Sequence, residues 1–233
     1  MDSRADASTA TALLAGATGL VGRALLARLL AGDRRERVVV LARKPLPSTI
    51  ARHPRLTILV GDMPMLAAEA GPIGDVYIAL GTTIKVAGSE AAFRAVDLDL
   101  VVAIARAARQ AGARRLAVVS ALGAERRSRV FYNRVKGEME ETVAALGYES
   151  VVLARPSLLL GDRETLGQPT RAGEVWAARL LGPLLPLVPA GVRPIAAPVV
   201  AAAMVAALDR AEPGTRVLTS ADLQRLGRAG VAA

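Results

Sequence analysis

The segment Gly16-Ala17-Thr18-Gly19-Leu20-Val21-Gly22 constrains the fold most. It falls between a short apolar run, Ala12 to Ala15, and a segment with helical apolar spacing, Leu20 to Ala31, that Gly32 closes. Such a handover demands a tight turn, and Gly16 tolerates the positive φ that a tight turn needs. A Cβ at Gly19 would obstruct an anion approaching the helix, and Gly22 lets the helix lie close to the strand. The backbone N–H groups from Thr18 through Gly19, Leu20 and Val21, with the positive end of the helix dipole, then form a phosphate-binding site. No Gly-Lys-Ser/Thr sequence ends the loop, which excludes an NTPase-type phosphate loop.

The rest of the chain repeats the strand–helix alternation. Apolar strand runs are expected at Val38 to Leu41, Leu56 to Val60, Val76 to Leu80, Leu116 to Ser120 and Ser150 to Ala154, with a short last one at Val217 to Thr219. Helices are expected at Asp97 to Ala111, Tyr132 to Leu146 and Pro198 to Leu208, the first two closed by Gly112 and Gly147. This pattern predicts an α/β fold with a doubly wound parallel sheet. Residues 1–10 read as a disordered tail and 11–233 as a single domain, in which 157–195, rich in Pro and Gly, form an irregular segment beside a substrate pocket. Within it, Trp176, Leu180, Leu181, Leu184, Leu185 and Leu187 suit pocket wall or plain core equally, and Asp162 and Arg163 suit its border.

Composition removes several function classes. With no cysteine and a single histidine, His53, disulfides, Cys-based and multi-His metal sites and a Cys nucleophile are excluded. The net charge of +9 comes from 30 Lys and Arg against 21 Asp and Glu. The arginines are scattered, as at Arg34, Arg35 and Arg37, and read as solvated surface, not a nucleic-acid face. The longest uncharged run in the most apolar region, Pro194 to Leu208, is too short to span a membrane. Nothing in residues 1–10 has signal-peptide character, so a cytoplasmic protein is expected.

Two clusters carry chemistry. At the end of the second strand, an acidic residue would bind the ribose hydroxyls of NAD; Arg43-Lys44 stands there, which favours a 2′-phosphate and hence NADP(H), with Arg23 adding charge nearby. The second cluster is Tyr132 and Lys136, four apart and so on one helical face, with Ser120 at the end of the fifth strand. An ammonium beside a phenol favours the phenolate, so Tyr132 suits proton transfer near neutral pH. Ser120 suits holding a substrate carbonyl while hydride arrives, and Lys136 also suits the nicotinamide ribose.

Together these residues resemble the short-chain dehydrogenase/reductase superfamily and its NAD(P)-binding Rossmann fold. The spacing of Gly16, Gly19 and Gly22 is that of its extended and atypical branches. The runs Leu80-Gly81-Thr82-Thr83, Val135-Lys136-Gly137-Glu138 and Arg155-Pro156-Ser157-Leu158-Leu159 are similar to the Tat-interacting protein-like branch. The resemblance implies that Asp62 touches the adenine, that Gly81 and Thr82 lie along the cofactor, and that Arg155-Pro156 packs beside the nicotinamide. It also places Asp97 where an Asn is common, which interrupts the usual Asn-linked proton relay. Reduction of a small apolar carbonyl compound is the leading expectation. A non-enzymatic NADP(H)-binding regulatory or redox-sensing protein with a protein partner is the alternative, and a sugar-nucleotide epimerase or dehydratase a third. The resemblance also implies a possible homodimer.

Overall fold

The computed structural model describes residues 11–46, 53–160 and 188–231. The expected tail, residues 1–10, lies outside the described residues. So do Asp162, Arg163, Trp176 and the leucines from Leu180 to Leu187.

Seven parallel strands form one sheet: β1 (Thr11–Ala15), β2 (Arg37–Ala42), β3 (Leu56–Val60), β4 (Asp75–Ile78), β5 (Arg115–Val119), β6 (Ser150–Ala154) and β9 (Gly214–Leu218), in the order β3-β2-β1-β4-β5-β6-β9. A separate parallel pair joins β7 (Leu159–Leu160) to β8 (Ile195–Ala196). Strand side chains alternate between two apolar cores, as a sheet covered on both faces requires. Leu13, Val39, Leu41, Val76 and Ile78 face one core, with α2 (Met63–Glu69), α5 (Val101–Gln110) and α6 (Phe131–Ala144). Leu14, Val38, Val40 and Tyr77 face the other, with α1 (Leu20–Ala31), α7 (Ala197–Asp209) and α8 (Ser220–Val231). Two short helices, α3 (Ile84–Ala87) and α4 (Glu90–Arg94), follow β4, and a π-helical turn, Ala95–Leu100, leads into α5. This is the expected doubly wound Rossmann architecture.

The strand order reverses at β1, whose neighbours are β2 and β4. In open α/β sheets ligands bind at such a switch point, outside the carboxyl ends of the strands. The opposite edge carries a buried ion cluster instead. Asp75, fully buried at the start of β4, accepts from Arg35 (Nη2, 2.6 Å; Nε, 3.1 Å) and from Arg115 (Nε, 2.5 Å). Arg35 also donates to the Tyr77 hydroxyl at 2.9 Å and to Asp209 at the end of α7. The expectation that Arg35 is solvated surface is therefore corrected: it is 4% exposed and joins β4 to α7. Two arginines and two aspartates neutralise one another there, the condition under which charges tolerate burial.

Candidate functional site

The glycine loop has the geometry the site needs. Gly16 adopts φ +95°, and a Cβ on it would lie 2.5 Å from the Ala79 carbonyl oxygen, so the loop passes directly over the end of β4. A Cβ on Gly22 would lie 1.8 Å from the Gly16 carbonyl oxygen. The contact that excludes a side chain at Gly22 is thus with the loop itself, not with the body of the strand. A Cβ on Gly19 would meet only ordinary contacts, 3.5 Å from the Gly16 oxygen and 3.8 Å from the Ala79 oxygen. Among the described residues no packing contact requires glycine there, which leaves the space above Gly19 open to a ligand. Gly19 is the N-cap of α1 and offers no side-chain cap. The first-turn N–H groups at Leu20 and Val21 are therefore available to an anion, with Thr18 exposed beside them. The cradle fits a dinucleotide diphosphate.

Charged groups also line this edge beyond β2 and β3. Arg43 and Lys44 are exposed immediately beyond β2. The Gly61 N–H donates to the Ala42 carbonyl at 2.9 Å, which holds the ends of β2 and β3 together and keeps Asp62 on this edge. Asp62 caps α2, accepting the Met65 N–H at 3.1 Å through one carboxylate oxygen. Arg23, in the first turn of α1, has a buried Nε with no hydrogen-bond partner among the described residues.

On the other side of the switch point, Ser120 follows β5 directly, its N–H bonded to the Ala154 carbonyl at 2.7 Å. Its hydroxyl is buried and has no hydrogen-bond partner among the described residues. Tyr132 lies in the first turn of α6, half-buried, its ring 5.4 Å from that of Phe93. Lys136 is one turn further along. Its ammonium is 2.7 Å from Asp97 Oδ1, with the lysine side chain 3% and the aspartate side chain 1% exposed. Asp97 Oδ2 accepts the Thr82 N–H at 2.8 Å. Gly81 approaches the same carboxylate so closely that a Cβ would be 3.4 Å from Oδ1. Gly137 lets the chain after β5 lie across α6, since a Cβ there would be 2.2 Å from the Arg126 backbone nitrogen. The other tyrosines sit elsewhere: Tyr77 is locked in the ion cluster, and Tyr148 donates to the Ala105 carbonyl at 2.6 Å. Burial pushes both phenols up, so neither is a proton donor or acceptor near neutral pH.

Pro156 is buried, and its carbonyl accepts the Leu122 N–H at 3.1 Å, which joins the turn after β6 to the loop after β5. Arg155 makes a two-pronged pair with Glu140, Nε to Oε1 at 2.9 Å and Nη2 to Oε2 at 2.5 Å. Tyr132, Lys136 and Glu140 are spaced four apart, so one face of α6 carries the phenol, holds Asp97 and holds the Arg155 turn. Sequence reasoning missed Glu140, although that spacing was its signal. It also missed the ion pair through which Asp97 engages Lys136.

A glycine cradle at the switch point of a doubly wound sheet defines a dinucleotide-binding fold, and Ser120, Tyr132 and Lys136 lie beyond it. The chain belongs to the NAD(P)H-binding family, whose model matches residues 16–174. It is 39% identical over 156 residues to the mitochondrial protein FMP52 of Eremothecium gossypii, covering 66% of this chain and 68% of that one. It is 38% identical over 179 residues to the mitochondrial fmp52 of Emericella nidulans, covering 74% and 76%. The fold is similar to that of MoeE5 in complex with UDP-glucuronic acid and NAD, with a TM-score of 0.67, 20% identity and coverage of 89% of this chain and 75% of that one. The relatives' names overturn the cytoplasmic expectation. The expectation looked for an apolar run, whereas mitochondrial targeting segments are amphipathic and carry none. Among the described residues, no helix is long and apolar enough to cross a membrane.

Proposed function

We propose that the chain is an NADP(H)-dependent reductase of small, mostly apolar carbonyl compounds, with Tyr132 as the acid. The observation that carries this reading is the Ser120 hydroxyl, buried without a partner among the described residues at the carboxyl edge of the sheet. Buried polar groups are almost always satisfied, and a substrate carbonyl oxygen would accept from this one. When bound, the reduced nicotinamide supplies the hydride for the carbonyl carbon. Ser120 orients the carbonyl, Tyr132 delivers a proton to its oxygen, and Lys136 binds the nicotinamide ribose. Backbone N–H groups from Thr18 to Val21 hold the diphosphate, which Gly16 and Gly22 make accessible. Arg43 and Lys44, with Arg23 behind them, face the 2′-phosphate, and Asp62 reaches the adenine with the carboxylate oxygen that does not cap α2. Gly81, Thr82 and Pro156 flank the nicotinamide half. Residues 11–233 act as one domain. The relatives' names support a mitochondrial setting, and pairing of two copies is compatible with the mechanism.

One observation favours a second reading, a non-enzymatic NADP(H)-binding regulatory or redox-sensing protein. Lys136 is already paired with the Asp97 carboxylate, which offsets the charge it presents to a substrate or phenol. A screen of aldehydes, ketones and quinones that follows NADPH oxidation separates the two. Turnover supports the reductase; tight NADPH binding with no turnover supports the binding protein. Equal affinity for NADH and NADPH would remove the NADP assignment from both.

A further inference from the structure

Asp97 is a charged group that the proposed chemistry leaves without a task. It is almost wholly buried, in a π-helical turn, and its two oxygens face different elements. Oδ1 is 2.7 Å from the Lys136 ammonium on α6, and Oδ2 accepts the Thr82 N–H at 2.8 Å from the loop after β4. π-helical turns are rare and concentrate at functional sites. This one occurs where a carboxylate must reach two neighbours at once. The residue type matters as well as the place. A neutral amide could accept the Thr82 N–H, but its NH2 would then face an ammonium, donor against donor.

We infer that Asp97 is a positioning residue that locks the Thr82 loop to Lys136, so that the two groups contacting the nicotinamide half of the cofactor are aligned before it binds. The inference rests on the reading of Lys136 and Thr82 given above. Pre-alignment by a buried, charge-assisted pair avoids the ordering cost that a free lysine would meet on binding. The adenosine half is held by Gly16–Gly22 and the β2 end, which Asp97 does not touch. Its contribution is therefore confined to one half of the ligand.

The test is a comparison of two probes, NADPH and 2′,5′-ADP, which lacks the nicotinamide riboside and its phosphate. Binding is measured by calorimetry on the full chain, with a thermal melt of each variant. Asp97→Asn keeps an acceptor for Thr82 and removes the charge. It should weaken NADPH about tenfold, as the Lys136 ammonium loses its buried counter-charge, and leave 2′,5′-ADP within about twofold. Asp97→Glu keeps the charge but cannot hold both oxygens in place; it should show a smaller loss of the same selectivity, and it supplies the comparison if Asp97→Asn does not fold. Equal weakening of both probes would mean a purely structural role and would overturn the inference, as would no change in either. Failure of the parent protein to bind 2′,5′-ADP while binding NADH would instead count against the NADP reading, and leaves the Asp97 comparison readable with NADH against ADP.

Discussion

Replacing Gly22 with alanine tests whether the glycine loop is built for a diphosphate. The new Cβ would lie 1.8 Å from the Gly16 carbonyl oxygen. Ordinary carbon–oxygen contact is roughly 3.3 Å, so loop and helix must part by about 1.5 Å. N–H groups placed about 2.9 Å from a phosphate oxygen would then stand beyond 4 Å, outside hydrogen-bond range. Losing two charge-assisted bonds at about 1.5–3 kcal/mol each removes about 3–6 kcal/mol, or roughly a hundred- to ten-thousandfold in NADPH affinity. The assay is an NADPH fluorescence titration with circular dichroism to show that the variant is folded. Gly19→Ala is the companion, because its Cβ would meet only ordinary contacts at 3.5 Å and beyond. It should melt like the parent and still bind NADPH poorly, whereas Gly22→Ala should lose stability as well. A folded Gly22→Ala protein binding NADPH within about threefold of the parent would refute the reasoning, since its lost bonds alone predict far more.

Two further outcomes follow from the separation of the sheet's edges. Asp75→Asn leaves Arg35 and Arg115 with less compensating charge in a buried cluster; it should cost about 3–5 kcal/mol, seen as a melting point lower by about 6–15 °C, with NADPH affinity of the folded protein unchanged. Arg43→Glu with Lys44→Glu, both at exposed positions, should leave stability alone, weaken NADPH at least tenfold and leave NADH within about threefold, measured as paired titrations.

Much of the fold was legible because the parallel sheet writes a simple pattern. Helix Leu20–Ala31 and strands Leu56–Val60 and Ser150–Ala154 lie where glycine stops and β-branched runs put them. The helices α2 and α8 were missed. The first is only seven residues long, too short to display a period, and the second is fixed by tertiary contact. A Cβ at Gly227 would lie 2.0 Å from the Val199 carbonyl oxygen, so α8 packs flush on α7 through a glycine that reads as a helix breaker in isolation. The expected helix from Asp97 begins as a π-helical turn at Ala95, a departure that apolar spacing does not display. The same limit applies to the site. Gly16, Gly22 and the Tyr132–Lys136 spacing are local and could be read directly. The partners of Lys136 and Arg155 are 39 residues earlier and 15 residues earlier in the chain, and only the fold brings them together. Arg35 shows the limit for charge: its sequence neighbours Arg34 and Arg37 gave it the character of surface, yet Asp75, 40 residues away, makes it core.

The most direct test of the central claim is the single-turnover rate of Tyr132→Phe with NADPH and whichever carbonyl compound the parent reduces. Phenylalanine keeps the ring against Phe93 and removes only the hydroxyl. The account predicts unchanged NADPH affinity and a hydride-transfer rate lower by about a hundredfold or more, the usual worth of a positioned general acid. A rate within about threefold of the parent would contradict it, since Tyr132 would then not supply the proton.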